Sequence, residues 1–259
     1  MPNRTSISWT IHTSNPLYVV RKSDGKRGWH CVHAGQDCMR CYAETLNKRL
    51  GTGFAFSPEF TDKVEFRLNE SELVAIMKMK KPSMIFLGDM LDLHASFVPE
   101  DLLRPIYNTM VAANQHIFQL STKRPKNMAD FVNGYSQFGL PEHIWVATSV
   151  GSWMYKHRLD ELRKVNAKVR FVNFEPLIDT LKPPIDLSGI SQVICGGESG
   201  HNHRPMNPSW AWEVYREARR QKVAFYFKQN SADYPGRGER LLGRTYHEYP
   251  IDVSPWRRG

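Results

Sequence analysis

The chain has 259 residues, 41% hydrophobic and 24% charged, enough to bury one sizeable core and too balanced in composition to be disordered. Lys and Arg number 35 against 26 Asp and Glu, a formal charge of +9 that points to an anionic partner and carries no information about fold. A membrane helix needs about 20 consecutive apolar residues, whereas apolar runs such as residues 84–87 reach only strand length, so a soluble protein without a membrane role is expected.

The first residues, Arg4 to Trp9, lack the apolar stretch and small-residue cleavage site of a secretory signal, and a reducing cytoplasm follows as the expected location. Residues 6–10 read as a first strand. Residues 11–30 read as an insertion with a hairpin turn at Asp24-Gly25. A helix starts at Tyr42 and stops at Gly51, and residues 63–68 form either a further strand or an extra edge element. Strands are then expected at 84–87, 116–120, 144–150, 169–174, 192–195 and 223–227. Between them, Leu102, Leu103, Ile106, Tyr107, Met110 and Val111 repeat at helical spacing behind Pro99-Glu100-Asp101, and Leu159, Leu162 and Val165 form a second stripe. Asn207-Pro208 opens a third helix, as an N-cap followed by proline at the first helical position.

Strands alternating with helices predict an α/β protein with a mostly parallel sheet. Six strands from residue 6 to residue 195 make a partial TIM barrel of (β/α)6 type, with 223–227 as an addition. If residues 63–68 are counted, the barrel approaches eight. No Gly, Ser or Pro linker interrupts the chain, so one domain over 1–259 is expected, with a C-terminal extension at 230–259.

Three of the four cysteines, Cys31, Cys38 and Cys41, fall within eleven positions. An odd, tight set in a reducing compartment reads as metal ligation rather than a disulfide framework. The loop follows the first strand at its carboxyl end, the face on which parallel barrels build their sites. Three thiolates can hold three irons of a 4Fe-4S cluster and leave the fourth open. They can also close a zinc site if His30, His33, His12 or His94 joins them. Spacing does not separate the two, although a structural zinc site has no particular need of a barrel mouth. Cys195, in an apolar strand, reads as a small buried residue.

The pattern Cys31-x6-Cys38-x2-Cys41-Tyr42-Ala43-Glu44 is followed by Gly88-Asp89-Met90-Leu91-Asp92-Leu93, Ser121-Thr122-Lys123-Arg124-Pro125, Asn173-Phe174-Glu175-Pro176-Leu177, Gly196-Gly197-Glu198-Ser199-Gly200, Arg204-Pro205-Met206 and Phe227-Lys228-Gln229. Together these resemble a phage and bacterial family of three-cysteine, radical-SAM-like proteins long described as of uncharacterised function. The resemblance spans nearly the whole chain. It implies a partial TIM barrel of radical SAM type that binds a 4Fe-4S cluster through Cys31, Cys38 and Cys41, together with S-adenosylmethionine. It also implies an external electron donor and a bacterial or phage-infected cytoplasm. Two features depart from the usual radical SAM pattern: six residues rather than three separate the first two cysteines, and Arg40 stands where an aromatic residue usually precedes the third.

Candidate cofactor and substrate contacts fall at strand ends. Gly88 permits close backbone approach, and Asp89 or Asp92 can accept the methionyl ammonium, although either could instead cap a helix. Ser121 and Lys123 follow, the lysine suited to a carboxylate or phosphate. Thr148 and Ser149 can bond ribose or carboxylate, or form a local turn. Glu175 after a buried strand reads as a ligand contact, and Glu198 lies in a glycine-rich turn. No catalytic residue is assigned.

Arg237, Arg240, Arg244, Arg257 and Arg258, interleaved with Tyr234, Tyr246, Tyr249 and Trp256, fit phosphate contact plus base stacking. A nucleic-acid or nucleotide partner is therefore expected, and the family resemblance implies a base or nucleotide adduct as the substrate, for example in an isomerisation during phage DNA thymine hypermodification. The competing expectation is a non-enzymatic Cys3His zinc module that binds nucleic acid. An iron-sulfur photolyase or electron-transfer protein would need a second cofactor motif.

Overall fold

A computed structural model describes residues 2–257. Its main sheet has eight strands: β1 (Asn3–Arg4), β2 (His12–Ser14), β6 (Met84–Leu87), β7 (Ile117–Thr122), β8 (Leu140–Ser149), β9 (Ala167–Phe174), β10 (Gln192–Gly196) and β11 (Ala224–Gln229), side by side in that order. From β2 to β11 all neighbours are parallel, and only β1 runs antiparallel, against β2. The sheet curls into the expected partial barrel. A smaller antiparallel sheet holds β3 (Leu17–Arg21), β4 (Arg27–Gly28) and β5 (Val64–Leu68), in the order β4-β3-β5.

Burial on both faces explains the composition of the barrel strands. In Met84-Ile85-Phe86-Leu87, Met84 and Phe86 face an inner cluster with Trp9, Ile117, Trp145, Ala147, Phe171, Ile194 and Tyr226. Ile85 and Leu87 face outward onto helices. The helices are α1 (Tyr42–Leu50), α2 (Glu70–Lys78), α3 (Leu103–Ala112), α4 (Pro125–Tyr135), α5 (His157–Arg163) and α6 (Pro208–Arg220), with a last short turn, α7 (Ser254–Arg257). The expected stripes supply Ile106, Tyr107 and Met110 on α3 and Leu159 and Leu162 on α5, all buried. Asn207 caps α6, its side chain accepting from the Ser209 amide. Among the described residues, no helix is long and apolar enough to cross a membrane.

Four expectations are corrected. Residues 6–10 form no strand: Trp9 leaves the surface to fill the barrel interior, its ring tilted against Phe86 and edge-on to Phe171. The first barrel strand is β2, inside the expected insertion, which therefore begins only at Leu17. The hairpin itself forms, with Gly25 at φ 75° in its turn. Residues 64–68 join the small sheet, so the parallel barrel has seven strands, neither six nor eight. The reason is legible in Val64-Glu65-Phe66-Arg67-Leu68, whose alternation suits a strand with one wet face and not a barrel stave buried on both. Finally, the C-terminal segment is structural. Tyr246 and His247 run beside β11, with Phe227 N donating to Tyr246 O and Glu248 N donating to Phe225 O, which covers the free edge of the sheet. Val253, Tyr249 and Trp256 then close the amino end of the barrel, Trp256 Nε1 donating to Gln115 O at 2.9 Å and Tyr249 Oη to Trp9 O at 3.2 Å. Tyr246, Tyr249 and Trp256 are thus partly buried in this packing, Tyr234 stays exposed, and Arg258 lies outside the described residues.

Replacing Trp256 by Ala is expected to lower stability by about 1–3 kcal/mol in urea unfolding and to leave the affinity for single-stranded DNA unchanged. A loss of DNA affinity at unchanged stability would restore a binding role to the tail.

Candidate functional site

The parallel strands point their carboxyl ends to one mouth, where a cavity of about 230 Å³ opens. Its wall includes Cys31, Cys38 and Cys41 from the loop between β4 and α1, Gly88 and Asp89 after β6, and Ser121 and Lys123 at the end of β7. Ser149, Asn173, Glu175, Glu198 and Lys228 complete it from the ends of β8 to β11. Of the residues expected in the site, all but Thr148 line this cavity. Thr148 is fully buried and donates its hydroxyl to Thr122 O at 2.8 Å, so it braces β7 against β8. Gly88 is required as glycine: its φ is 76°, and a Cβ there would meet Leu93 Cγ at 2.8 Å.

Three arginines hold the cysteine loop. Arg158 of α5 donates to Asp37 Oδ2 at 2.8 Å and to Ser149 O at 2.9 Å, and its other nitrogen donates to Ala34 O. The side chains of this pair are 5% and 0% exposed. Arg124 donates to Val32 O at 2.6 Å and to Asp92 at 2.9 Å. Arg204 donates to Gln36 O at 2.9 Å while holding Glu198 through its backbone and side-chain nitrogens. The six-residue gap between Cys31 and Cys38 thus provides the carbonyls and carboxylate on which the loop docks. Sequence reasoning missed Asp37, Arg158 and Arg204 as a set. The available signal was an arginine beside the apolar stripe of α5.

These contacts reassign several acidic residues. Asp92 accepts from Thr122 Oγ1, His94 N, Lys123 N and Arg124 and is a brace. Glu175 is ion-paired with Lys228, and Glu198 with Arg204 and, at 3.8 Å, Arg40. Two charges in the cavity have no ion-pair partner among the described residues. Asp89 accepts a 2.6 Å hydrogen bond from Asn15, and burial raises its pKa against that bond. Burial alone would lower the pKa of Lys123, but Cys38, Asp37 and Cys41 nearby outweigh it and the net shift is upward.

Burial pushes the Cys31 thiol up to about 11 and raises Cys41 as well. Both pack against Ala43, Phe56 and Met90 with Trp29. Thiols in such a setting ionise when a cationic centre binds them. A zinc ion needs four donors about one point, and among the described residues no three His, Cys, Asp or Glu side chains, the three cysteines included, are gathered as a metal site. The candidate histidines are engaged elsewhere: His12 with Ser83, His30 with Thr61, His33 with Glu44 and His94 with Tyr107. A cluster spreads its thiolates over separate irons, and three thiols rimming one cavity, with an apolar shell and the Lys123 ammonium beside them, fit that donor set. Cys195 is fully buried, away from the cavity, and its thiol is raised far above the ordinary range by burial.

Removing one member of a buried ion pair strands the other, so Arg158→Met is expected to destabilise by about 3–5 kcal/mol, with most of the loss recovered when Asp37→Leu is added. Urea unfolding of the single and double variants checks this. Burial also lowers the pKa of His94 and of His30 to about 4. The unfolded chain takes up those protons near pH 6.5 and the folded one does not, so stability falls as pH drops from about 6.5 towards 4 and levels off below. Urea midpoints against pH measure the slope, which is expected to flatten in His94→Gln.

No curated protein matches the sequence. Among solved structures, the chain is similar to a spore photoproduct lyase double mutant with bound AdoMet and dinucleoside spore photoproduct, with a TM-score of 0.45 and 8% identity. The match covers 84% of this chain and spans 63% of that one. A family model described as protein of unknown function (DUF5131) matches residues 4–253. With nearly its whole length inside that match, the chain belongs to the DUF5131 family.

Proposed function

We propose that the protein is a radical S-adenosylmethionine enzyme whose cluster is held by Cys31, Cys38 and Cys41, acting on a nucleic-acid base or nucleotide adduct. The observation that carries this reading is the meeting of three thiols with two unpaired charges of opposite sign in one cavity at the mouth of a parallel partial barrel. Held by Cys31, Cys38 and Cys41, a 4Fe-4S cluster would supply one-electron reducing chemistry towards S-adenosylmethionine bound beside it.

The chain's own residues do the positioning. Asp89 accepts from the methionyl ammonium, with Gly88 giving the backbone room to approach, and Lys123 pairs with the methionyl carboxylate. These two charges match the two ends of an amino acid, and the other cavity acids already have cations. Ser121 and Ser149 offer hydroxyls to ribose. Trp29, Phe56 and Met90 keep water from the thiol end, which strengthens the charge contacts there. The isomerisation of a decorated thymine in phage DNA is the specific reaction proposed, on a base flipped out of the duplex to reach the mouth. With Tyr246, Tyr249 and Trp256 partly buried, the anionic strand is proposed to meet Arg40 together with the exposed side chains of Met39, Trp153 and Tyr234.

Anaerobic purification followed by iron, sulfide and zinc analysis tests the reading. About four irons per chain, with visible absorption bleached by dithionite, are expected, and 5'-deoxyadenosine formation is expected to vanish in Cys38→Ala. Stoichiometric zinc without sulfide would overturn the proposal in favour of a zinc module.

A further inference from the structure

The seven residues from Arg21 to Arg27 carry four cations and one acid, a net three of the chain's nine positive charges. They form the tip of the hairpin made by β3 and β4, where the Arg21 amide donates to Lys26 O and the Gly25 amide to Arg21 O, both at 2.8 Å. The one acid, Asp24, is already engaged: Arg21 holds both of its oxygens, and the Lys26 amide donates to it at 3.2 Å. Arg21 is itself held down, donating to Thr52 O at 2.6 Å with its guanidinium over the Phe54 ring. Lys22, Lys26 and Arg27 are exposed and have no ion-pair partner among the described residues. Leu17 and Val19 are fully buried, so Tyr18 and Val20 point to the opposite, wet face. Arg27 stands across from Val20 on that face, its guanidinium 3.8 Å over the Tyr18 ring. The stacking fixes the side chain and leaves its N–H edges free.

The basic end of α6 is engaged elsewhere, Arg219 with Glu248 and Arg220 with Glu217. Beside the hairpin, the Pro58–Lys63 turn adds Lys63 along with Glu59 and Asp62, so the surplus is the hairpin's own. No exposed large hydrophobic side chain falls within residues 17–28. A protein partner needs an apolar anchor at the centre of its interface. A group of free cations without one suits a phosphate backbone, whose contacts are charge contacts.

Both ends of the hairpin are rooted at the mouth. Asn15, two residues before β3, donates to Asp89 in the cavity wall at 2.6 Å, and Cys31, three residues after β4, lines the same cavity. The turn lies about 20 Å along the strand from that root, the length of about six base pairs.

We propose that this hairpin docks the phosphate backbone of duplex DNA beside the mouth, with Lys22, Lys26 and Arg27 as its phosphate contacts. The proposal rests on the nucleic-acid part of the reading above and not on the radical chemistry. A base drawn into the mouth leaves its flanking duplex outside, and the hairpin offers that duplex its cations.

The test is fluorescence anisotropy of a labelled DNA duplex of about three helical turns with the full-length protein purified anaerobically, titrated between about 50 and 200 mM salt. The unmodified chain is expected to bind with an affinity that falls steeply with salt. The triple variant Lys22→Gln, Lys26→Gln, Arg27→Gln is expected to bind at least about tenfold more weakly at low salt and to lower the slope of log K against log salt by about 2–3. Lys78→Gln, Lys80→Gln, Lys81→Gln removes the same charge from exposed positions before β6, at the opposite end of the barrel. That control is expected to change the affinity less than about twofold, because salt screens charges so far from the contact. Urea midpoints verify that both triples are folded, and the single variant Lys26→Gln, expected to lower the slope by about 1, keeps the test standing if the hairpin triple is not.

Unchanged affinity and slope in the hairpin variants, an equal loss in both triples, or tighter binding of a single strand than of the duplex would each overturn the assignment. Binding of polyglutamate as strong as that of the duplex would overturn it in favour of an acidic protein partner. Hairpin-dependent duplex binding by a protein that carries zinc would leave the docking face standing and remove the radical chemistry. A cluster protein that forms 5'-deoxyadenosine and binds no duplex at low salt would remove the docking face alone.

Discussion

The buried ion pair between Arg158 and Asp37 is the contact on which the site depends. Taking two charges out of water is unfavourable, and in stability alone a well-packed apolar pair often does as well. What such a pair supplies is direction: Asp37 lies between the first two cysteines, and Arg158 ties it to the Ser149 carbonyl at the end of β8. With Arg124 and Arg204 on the same loop, a segment with almost no regular structure is pinned at Val32, Ala34, Gln36 and Asp37. The three thiols therefore face the cavity because the loop between them is docked, and the docking groups come from three different parts of the barrel.

The same economy of charge shapes the cavity. Asp92, Glu175 and Glu198 looked like three free acceptors in one dimension, and each carries a cation in three. Pairing leaves the wall close to neutral except at Asp89 and Lys123, and in a partly dry site an unpaired charge is a strong claim on a ligand. Below them the barrel changes character. Trp9, Phe86 and Phe171 form an aromatic floor in which only a few polar atoms remain unanswered. The cavity is thus graded from thiols and charges at the mouth to neutral, aromatic surroundings in depth.

Much of this was legible along the chain. Met84 to Leu87 matched its strand to the residue because a stave buried on both faces must be apolar throughout. Asn207-Pro208 marked a helix start that exists, because a cap and a first-turn proline act locally. The misreadings share one cause. Residues 6–10 have strand composition, yet Trp9 fills the barrel interior, and the first barrel strand, β2, lies inside the expected insertion. Tyr249 and Trp256 looked like part of a stacking platform because sequence distance hides that they return to the opposite end of the barrel.

Local pattern by itself determined the alternating architecture, the cysteine loop and most of the residues that rim the mouth, since hydrophobic period, turn chemistry and ligand spacing all act over a few residues. Tertiary structure alone decided which carboxylates were already spent on cations, which arginines held the loop, and where the tail went. Those depend on contacts between residues 121 apart, as with Arg158 and Asp37, or 168 apart, as with Arg204 and Gln36. Charge pairing is set by distance in space, and only the closed barrel brings those groups within reach.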